Sequence, residues 1–213
     1  MAEREIPERI SAIKPDYITV FLRVYSKKGV LFPNGEFVEQ FHNYCVDLLQ
    51  STPDPCTPPK VIVVDFHGIR VLNYESVKEG FAFPLENFRG ERAIHKKGLH
   101  SAYVNLSTDY AEFTNPWQVF QSILEEDHVA RPVVVARREG QDNYCLIGNA
   151  RKIAERSECW KKLFKKGGWV NGHEFVNEEL KDLPQMEFLN MLHRDGLALR
   201  VVHDRIPYFR SIV

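Results

Sequence analysis

Residues Lys60 to Phe66 read KVIVVDF. The four consecutive apolar β-formers Val61 to Val64 have no polar residues alternating with them, so a strand here must be covered on both faces, as in the middle of a parallel or mixed sheet. The residues predict that this strand is the centre of its sheet. It ends at Asp65 and a His67-Gly68 turn. At the carboxyl end of an α/β strand an acid either serves a ligand or accepts turn amides, and the turn role is the expectation for Asp65. Gly68 is expected to supply a tight or positive-φ turn that a side chain would strain.

Moving toward the N-terminus, Ser51 to Pro59 holds prolines at 53, 55, 58 and 59 and is expected as an extended surface connection. Before it, Phe37, Phe41, Tyr44, Cys45, Leu48 and Leu49 recur at helical spacing, which predicts a helix over Glu36 to Leu49 with one face on the sheet. Tyr17 to Val24 (YITVFLRV) reads as the first strand, followed by a Lys-Lys-Gly turn. The opening MAEREIPERISAIKPDY alternates charged and apolar residues without the apolar core of a secretory signal, and a flexible leader over 1–16 is expected.

Moving toward the C-terminus, Asn73 is placed to cap a helix whose Val77, Phe81 and Leu85 face inward, with Pro84 ending or kinking it. A basic, glycine-punctuated stretch from Asn87 to Leu99 leads to a strand over Ser101 to Leu106, and a helix around Trp117 to Glu126 buries Trp117, Phe120 and Leu124. The alternation gives an α/β class, a mixed sheet backed by helices, for an N-terminal domain of residues 1–128. PVVVARR and NYCLIG are two short strands of a connecting hairpin at 129–149. From Asn149 the chain turns helical.

The run VIVVDFHGIRVLNYESVKEGF, Val61 to Phe81, resembles the STAS and STAS-like domains, in which a buried strand ends in Asp-Leu/Phe-x-Gly-Val and turns into a helix. Asp65, Phe66, Gly68 and Ile69 match, and the order of elements follows from about Tyr17 to Asp127. The resemblance implies regulation by protein contact, with Asp65, Asn73, Tyr74 and Ser76 as docking candidates. STAS anti-sigma antagonists carry a phosphorylatable Ser at this helix start. Here Tyr74 stands in its place, and Ser76 is the nearest alternative target.

Residues 150–213 read as a helix to about Lys166, a short Trp169-Val170 segment, a helix from His173 to about Leu183, a third from Pro184 to Arg194, and a hairpin of LALRVV and PYFRSIV about His203-Asp204-Arg205-Ile206. This small α+β order resembles a winged helix, and FLNMLHRDGLALRVV resembles the helix-to-wing passage of winged-helix regulators. The segment carries 12 basic and nine acidic residues. Its candidates for DNA contact are Lys161, Lys162, Lys165 and Lys166 on the first helix, Gln185, Asn190, His193 and Arg194 on the third, and Arg205 at the wing tip. Against DNA stand Glu187 on the presumed reading helix and the acidic Glu178-Glu179 before it. The alternative for the lysines is the solvated face of an amphipathic helix.

The 213 residues are 44% apolar and 27% charged, which excludes a largely disordered chain, and the net charge of -1 gives no global reason to approach nucleic acid. No apolar run is long enough to span a membrane. Cys45, Cys56, Cys145 and Cys159 form no C-x-x-C pair, so a cytoplasmic protein without metal or cofactor is expected. Phosphate-binding glycine loops, an H-E-x-x-H pair and a nucleophile elbow are absent. The leading expectation is a non-enzymatic regulatory protein: a STAS-like domain that docks a partner or signal, and a winged helix that contacts DNA or protein, with self-association included among its partners. The first alternative is a metal-dependent hydrolase or nuclease in which Asp65 converges with His67, His95 and His100. The second is a scaffold subunit of a larger complex.

Overall fold

The protein is described from a computed structural model over residues 5–31, 36–52, 58–87, 99–106, 116–125, 132–136, 144–179 and 185–213. Its spine is a five-stranded sheet of β1 (Asp16–Phe21), β3 (Lys60–Asp65), β5 (Leu99–Val104), β6 (Val133–Ala136) and β7 (Tyr144–Ile147), in that order across the sheet. The first four strands run parallel and β7 is antiparallel to β6. The expected mixed sheet backed by helices is therefore present. The β6–β7 pair, expected as a connector, extends this sheet. Its middle strand is β5, not β3. All six residues of β5 are buried, and its polar His100 and Ser101 hid that burial from a reading based on apolar runs.

Strand alternation sends odd and even residues of β3 to opposite layers. Ile62 and Val64, with Val20, Tyr103, Val133, Val135 and Ile147, meet the helices α2 (Glu36–Ser51), α3 (Tyr74–Asn87) and α4 (Pro116–Glu125). This layer is strongly aromatic. The Phe81 ring lies 5.3 to 6.0 Å from the rings of Phe37, Phe41, Phe66, Phe120 and Tyr103. Gly80 lets α2 and α3 close together, since a Cβ there would stand 2.6 Å from the Phe37 ring. Asn73 caps α3 as expected, its Oδ1 accepting from the Glu75 amide at 2.8 Å. The helix passes Pro84 and ends at Asn87.

Val61, Ala102, Val134 and Leu146 face the other way and pack with the C-terminal module. The module runs α5 (Ala150–Lys166), β8 (Val170–Asn171), α6 (Gly172–Glu179), α7 (Gln185–Arg194), β9 (Ala198–His203) and β10 (Ile206–Ser211). Its antiparallel sheet has the order β8-β10-β9. Asn149 caps α5 and Gly167 ends it in the left-handed region. Asn171 caps α6 through the His173 amide at 3.0 Å. At the end of α7, Gly196 donates to the His193 carbonyl and Leu197 to the Leu192 carbonyl, the paired bonds of a Schellman stop.

Residues 5–16 differ from the flexible leader expected for 1–16. They form α1 (Glu8–Ser11), and Ile10 is buried in the module's core with Ile6 and Ile13 packed beside it. The Trp169 indole donates to the Ile13 carbonyl at 2.7 Å, and Arg9 pairs with Asp204 at 3.2 Å. Charge alternation suggested mobility, but the three isoleucines give this arm an apolar side to bury. The first strand also stops early. Leu22–Tyr25 is a 3-10 turn, and the short β2 (Val30–Leu31) pairs with β4 (Val71–Leu72) beyond the main sheet.

Candidate functional site

The carboxyl end of β3 holds the docking and metal candidates of the first domain. Asp65 is 3% exposed, and its Oδ1 accepts from the His67 amide at 2.7 Å and from the Asn105 side-chain amide at 2.8 Å. Through these two bonds the carboxylate fastens the ends of two neighbouring strands, β3 and β5, and Asn105 takes a φ of 60°. Gly68 has a φ of 80°, as its turn requires. His100 does not approach Asp65. It pairs in register with Val61, four residues back along the strand, which puts the two about 13 Å apart at ordinary strand rise. His67 is exposed, and His95 lies outside the described residues. Among the described residues no three His, Cys, Asp or Glu side chains are placed to hold a metal ion.

Of the other docking candidates, Asn73 is committed to its cap. Tyr74 is half-buried against the helix layer, with the Lys78 ammonium 5.9 Å from its ring centre. The backbone of Ser76 lies in the first turns of α3, and its side chain lies outside the described residues. Asp65 and Asn73 therefore hold a turn and a helix start.

In the module, α7 turns one side inward through Leu189 and Leu192, both fully buried. His193 also turns inward: its Nδ1 lies 3.0 Å from the Ala198 carbonyl and its ring centre 6.1 Å from that of His100. Glu187 and Arg194 are exposed and Asn190 is half-buried, while the side chain of Gln185 lies outside the described residues. On α5, Lys162 pairs with Glu158 at 3.2 Å and donates to the Glu179 carbonyl at 2.6 Å. Lys166 pairs with the Glu179 carboxylate at 2.9 Å, and this bond, with the lysine's charge, holds that carboxyl below its ordinary range. Lys161 and Lys165 are exposed. Arg205 is exposed at the tip of a two-residue turn in which it and Asp204 both have positive φ, the geometry that matches strand twist in a tight hairpin.

Sequence reasoning missed the residues that hold this module's own helices together. Arg156 and Asp195, 8% and 5% exposed, form an ion pair between α5 and the end of α7. Arg156 also donates to the Lys152 carbonyl at 3.2 Å. Asp195 is the acid of the Asp-Gly-Leu passage, so the motif was visible while its partner, 39 residues away, was not. The arm, α6 and β8 border an open cleft of about 440 Å³ lined by Glu5, Glu174 and Glu178 together with Trp169 and Phe175. Lys166, also at its wall, is already committed to Glu179. Burial pushes the thiols of Cys45 and Cys159 up to about 12, which leaves both as core residues with little nucleophilic thiolate.

No protein-family model, curated protein or solved structure matches the chain. Among the described residues no helix is long and apolar enough to cross a membrane.

Proposed function

We propose that the chain is a non-enzymatic regulatory protein, in which a STAS-like α/β layer docks a partner and a winged-helix module makes a second contact, with protein rather than with DNA bases. The winged-helix reading is supported by the order helix, strand, helix, helix, hairpin and by the strand order β8-β10-β9. The STAS-like reading rests on Asp65 to Ile69 and the turn they form. A metal hydrolase centred on Asp65 is disfavoured by the commitment of its carboxylate to two amides and by its distance from His100.

The observation that carries protein over DNA is the outward side of α7. A helix reading base edges in the major groove presents donors and cations to them. Here His193 is turned toward the sheet, and the outward positions are the mixed set Glu187, Asn190 and Arg194. Of the four α5 lysines that were DNA candidates, Lys162 and Lys166 are bound to α6. The test is fluorescence anisotropy of labelled duplex DNA at low salt. The expected result is no salt-dependent binding beyond that of an unrelated neutral protein. Binding that falls steeply with salt and is weakened by Arg205→Glu and Lys165→Glu would return the module to DNA.

A further inference from the structure

Among the described residues four large hydrophobic side chains are exposed: Tyr17 at 46%, its ring open while its hydroxyl bonds to Arg210, Phe21 at 56%, Val24 at 74% and Val202 at 54%. Three of them lie within one run, on β1 and its continuation. β1 is the end strand of the five-stranded sheet and, among the described residues, pairs with β3 alone. The direction of its free backbone groups follows from one bond. The Asp16 amide donates to the Pro59 carbonyl, on the β3 side, at 2.8 Å. In a parallel ladder alternate residues bond to the same neighbour. Residues 16, 18 and 20 therefore face β3, and the amides and carbonyls of Tyr17, Thr19 and Phe21 face outward. Protein edges are ordinarily guarded by lysine, proline or a bulge, and YITVFL, Tyr17 to Leu22, contains neither lysine nor proline. The opposite edge differs: β7 leads into α5 and packs against it.

The loops beside the carboxyl end of β1 have a definite charge. Residues 22–31 and 66–72 carry Arg23, Lys27, Lys28 and Arg70 and no acid. They form one surface through their turns. A Cβ on Gly29 would stand 2.5 Å from the Gly68 carbonyl, and one on Gly68 would stand 3.4 Å from the Arg23 stem. Arg70 donates to the Lys28 carbonyl at 2.7 Å. An open strand edge with exposed apolar side chains thus runs into two loops whose exposed charges, Arg23, Lys28 and Arg70, are cationic, the nearby Asp65 carboxylate being buried.

We propose that β1 is a strand-addition site for an extended segment of another protein, apolar where it runs along Tyr17 to Phe21 and acidic where it passes Arg23, Lys28 and Arg70. Main-chain bonds to residues 17, 19 and 21 supply affinity, and the charged end fixes direction and partner. This surface touches the hairpin at its start, where the Tyr17 hydroxyl accepts from Arg210 of β10, but the positions that test it, 19, 21, 23 and 28, are not those that test the protein-versus-DNA question.

The test uses the full chain and two fluorescein-labelled probes of alternating valine and threonine, about as long as β1, with a glutamate cluster at one end or the other. The expected result is that one probe binds and that its lysine counterpart does not. Thr19→Pro removes an outward amide while leaving the β3 ladder intact, and it should weaken binding about tenfold, as for one lost main-chain bond. Arg23→Glu with Lys28→Glu should weaken it further. Phe21→Lys, at an exposed position, provides a second blocked edge if Thr19→Pro folds poorly by circular dichroism. Three results would overturn the proposal: binding of neither glutamate probe to the folded chain, binding that ignores both edge variants, or concentration-dependent self-association that these variants abolish. The last would assign the edge to a second copy of the chain.

Discussion

The two faces of the central sheet are built differently. On one, α2, α3 and α4 are joined directly to the strands they cover, and the contact is an aromatic lattice centred on Phe81. On the other, the cover comes from the last third of the chain and from an N-terminal arm, and ionic and polar contacts are mixed in: Arg156 with Asp195 inside the module, His100 with His193 between sheet and module, and Trp169 with the Ile13 carbonyl between module and arm. The first face is assembled from neighbours in sequence. The second depends on partners far apart, and polar geometry helps fix how the module sits.

If the two faces share one cooperative unit, lesions on either should appear in a single transition. Phe81→Ala should have the largest effect, about 4 kcal/mol of unfolding free energy by urea titration, because it empties the contact point of five rings. Arg156→Met, which leaves Asp195 buried beside an apolar chain, should cost about 3 kcal/mol, and pairing it with Asp195→Leu should recover much of that loss. A second, earlier transition confined to the Arg156 variant would break the comparison by making the module an independent unit. Trp169→Phe should cost about 1 kcal/mol and raise amide exchange selectively in residues 5–16. Cys45, on the helix face, and Cys159, on the module face, should label with a thiol reagent at mildly alkaline pH at the same slow rate, set by global opening. The smallest effect concerns Glu179. Its carboxyl is held below the ordinary value, so its contribution is full above the unfolded value and disappears as pH falls through the folded one. The melting temperatures of the native chain and Lys166→Ala should therefore converge on acidification from about pH 6 to pH 3, and the difference at neutral pH should be small, as for an exposed pair.

The helix face was legible because its information is periodic and local. Phe37, Phe41 and Cys45 announce a helix side, and Asn73 announces a cap. The Asp65 turn was legible for the same reason, since its acceptor and the His67 amide lie two residues apart. What could not be read was whatever pairs across distance. The burial of β5 was concealed by His100 and Ser101, the role of Asp195 by the remoteness of Arg156, and the docking of residues 5–16 by their charges. The lysines of α5 show the limit most directly. Sequence ranks them as equals, yet Lys162 and Lys166 meet α6 while Lys161 and Lys165 face solvent.

The N-terminal arm also has a consequence in time. Ile13 is 156 residues from Trp169, and Arg9 is 195 residues from Asp204. During synthesis at roughly 5–20 residues per second, the arm leaves the ribosome about ten to forty seconds before the chain that receives it. Throughout that interval the core that Ile6, Ile10 and Ile13 join has only its sheet side, Val61, Ala102 and Val134, and lacks the module's last helices and hairpin. A segment made well before its partners is thus among the last to find its place, and the nascent chain carries an apolar arm that a chaperone would meet before the fold does.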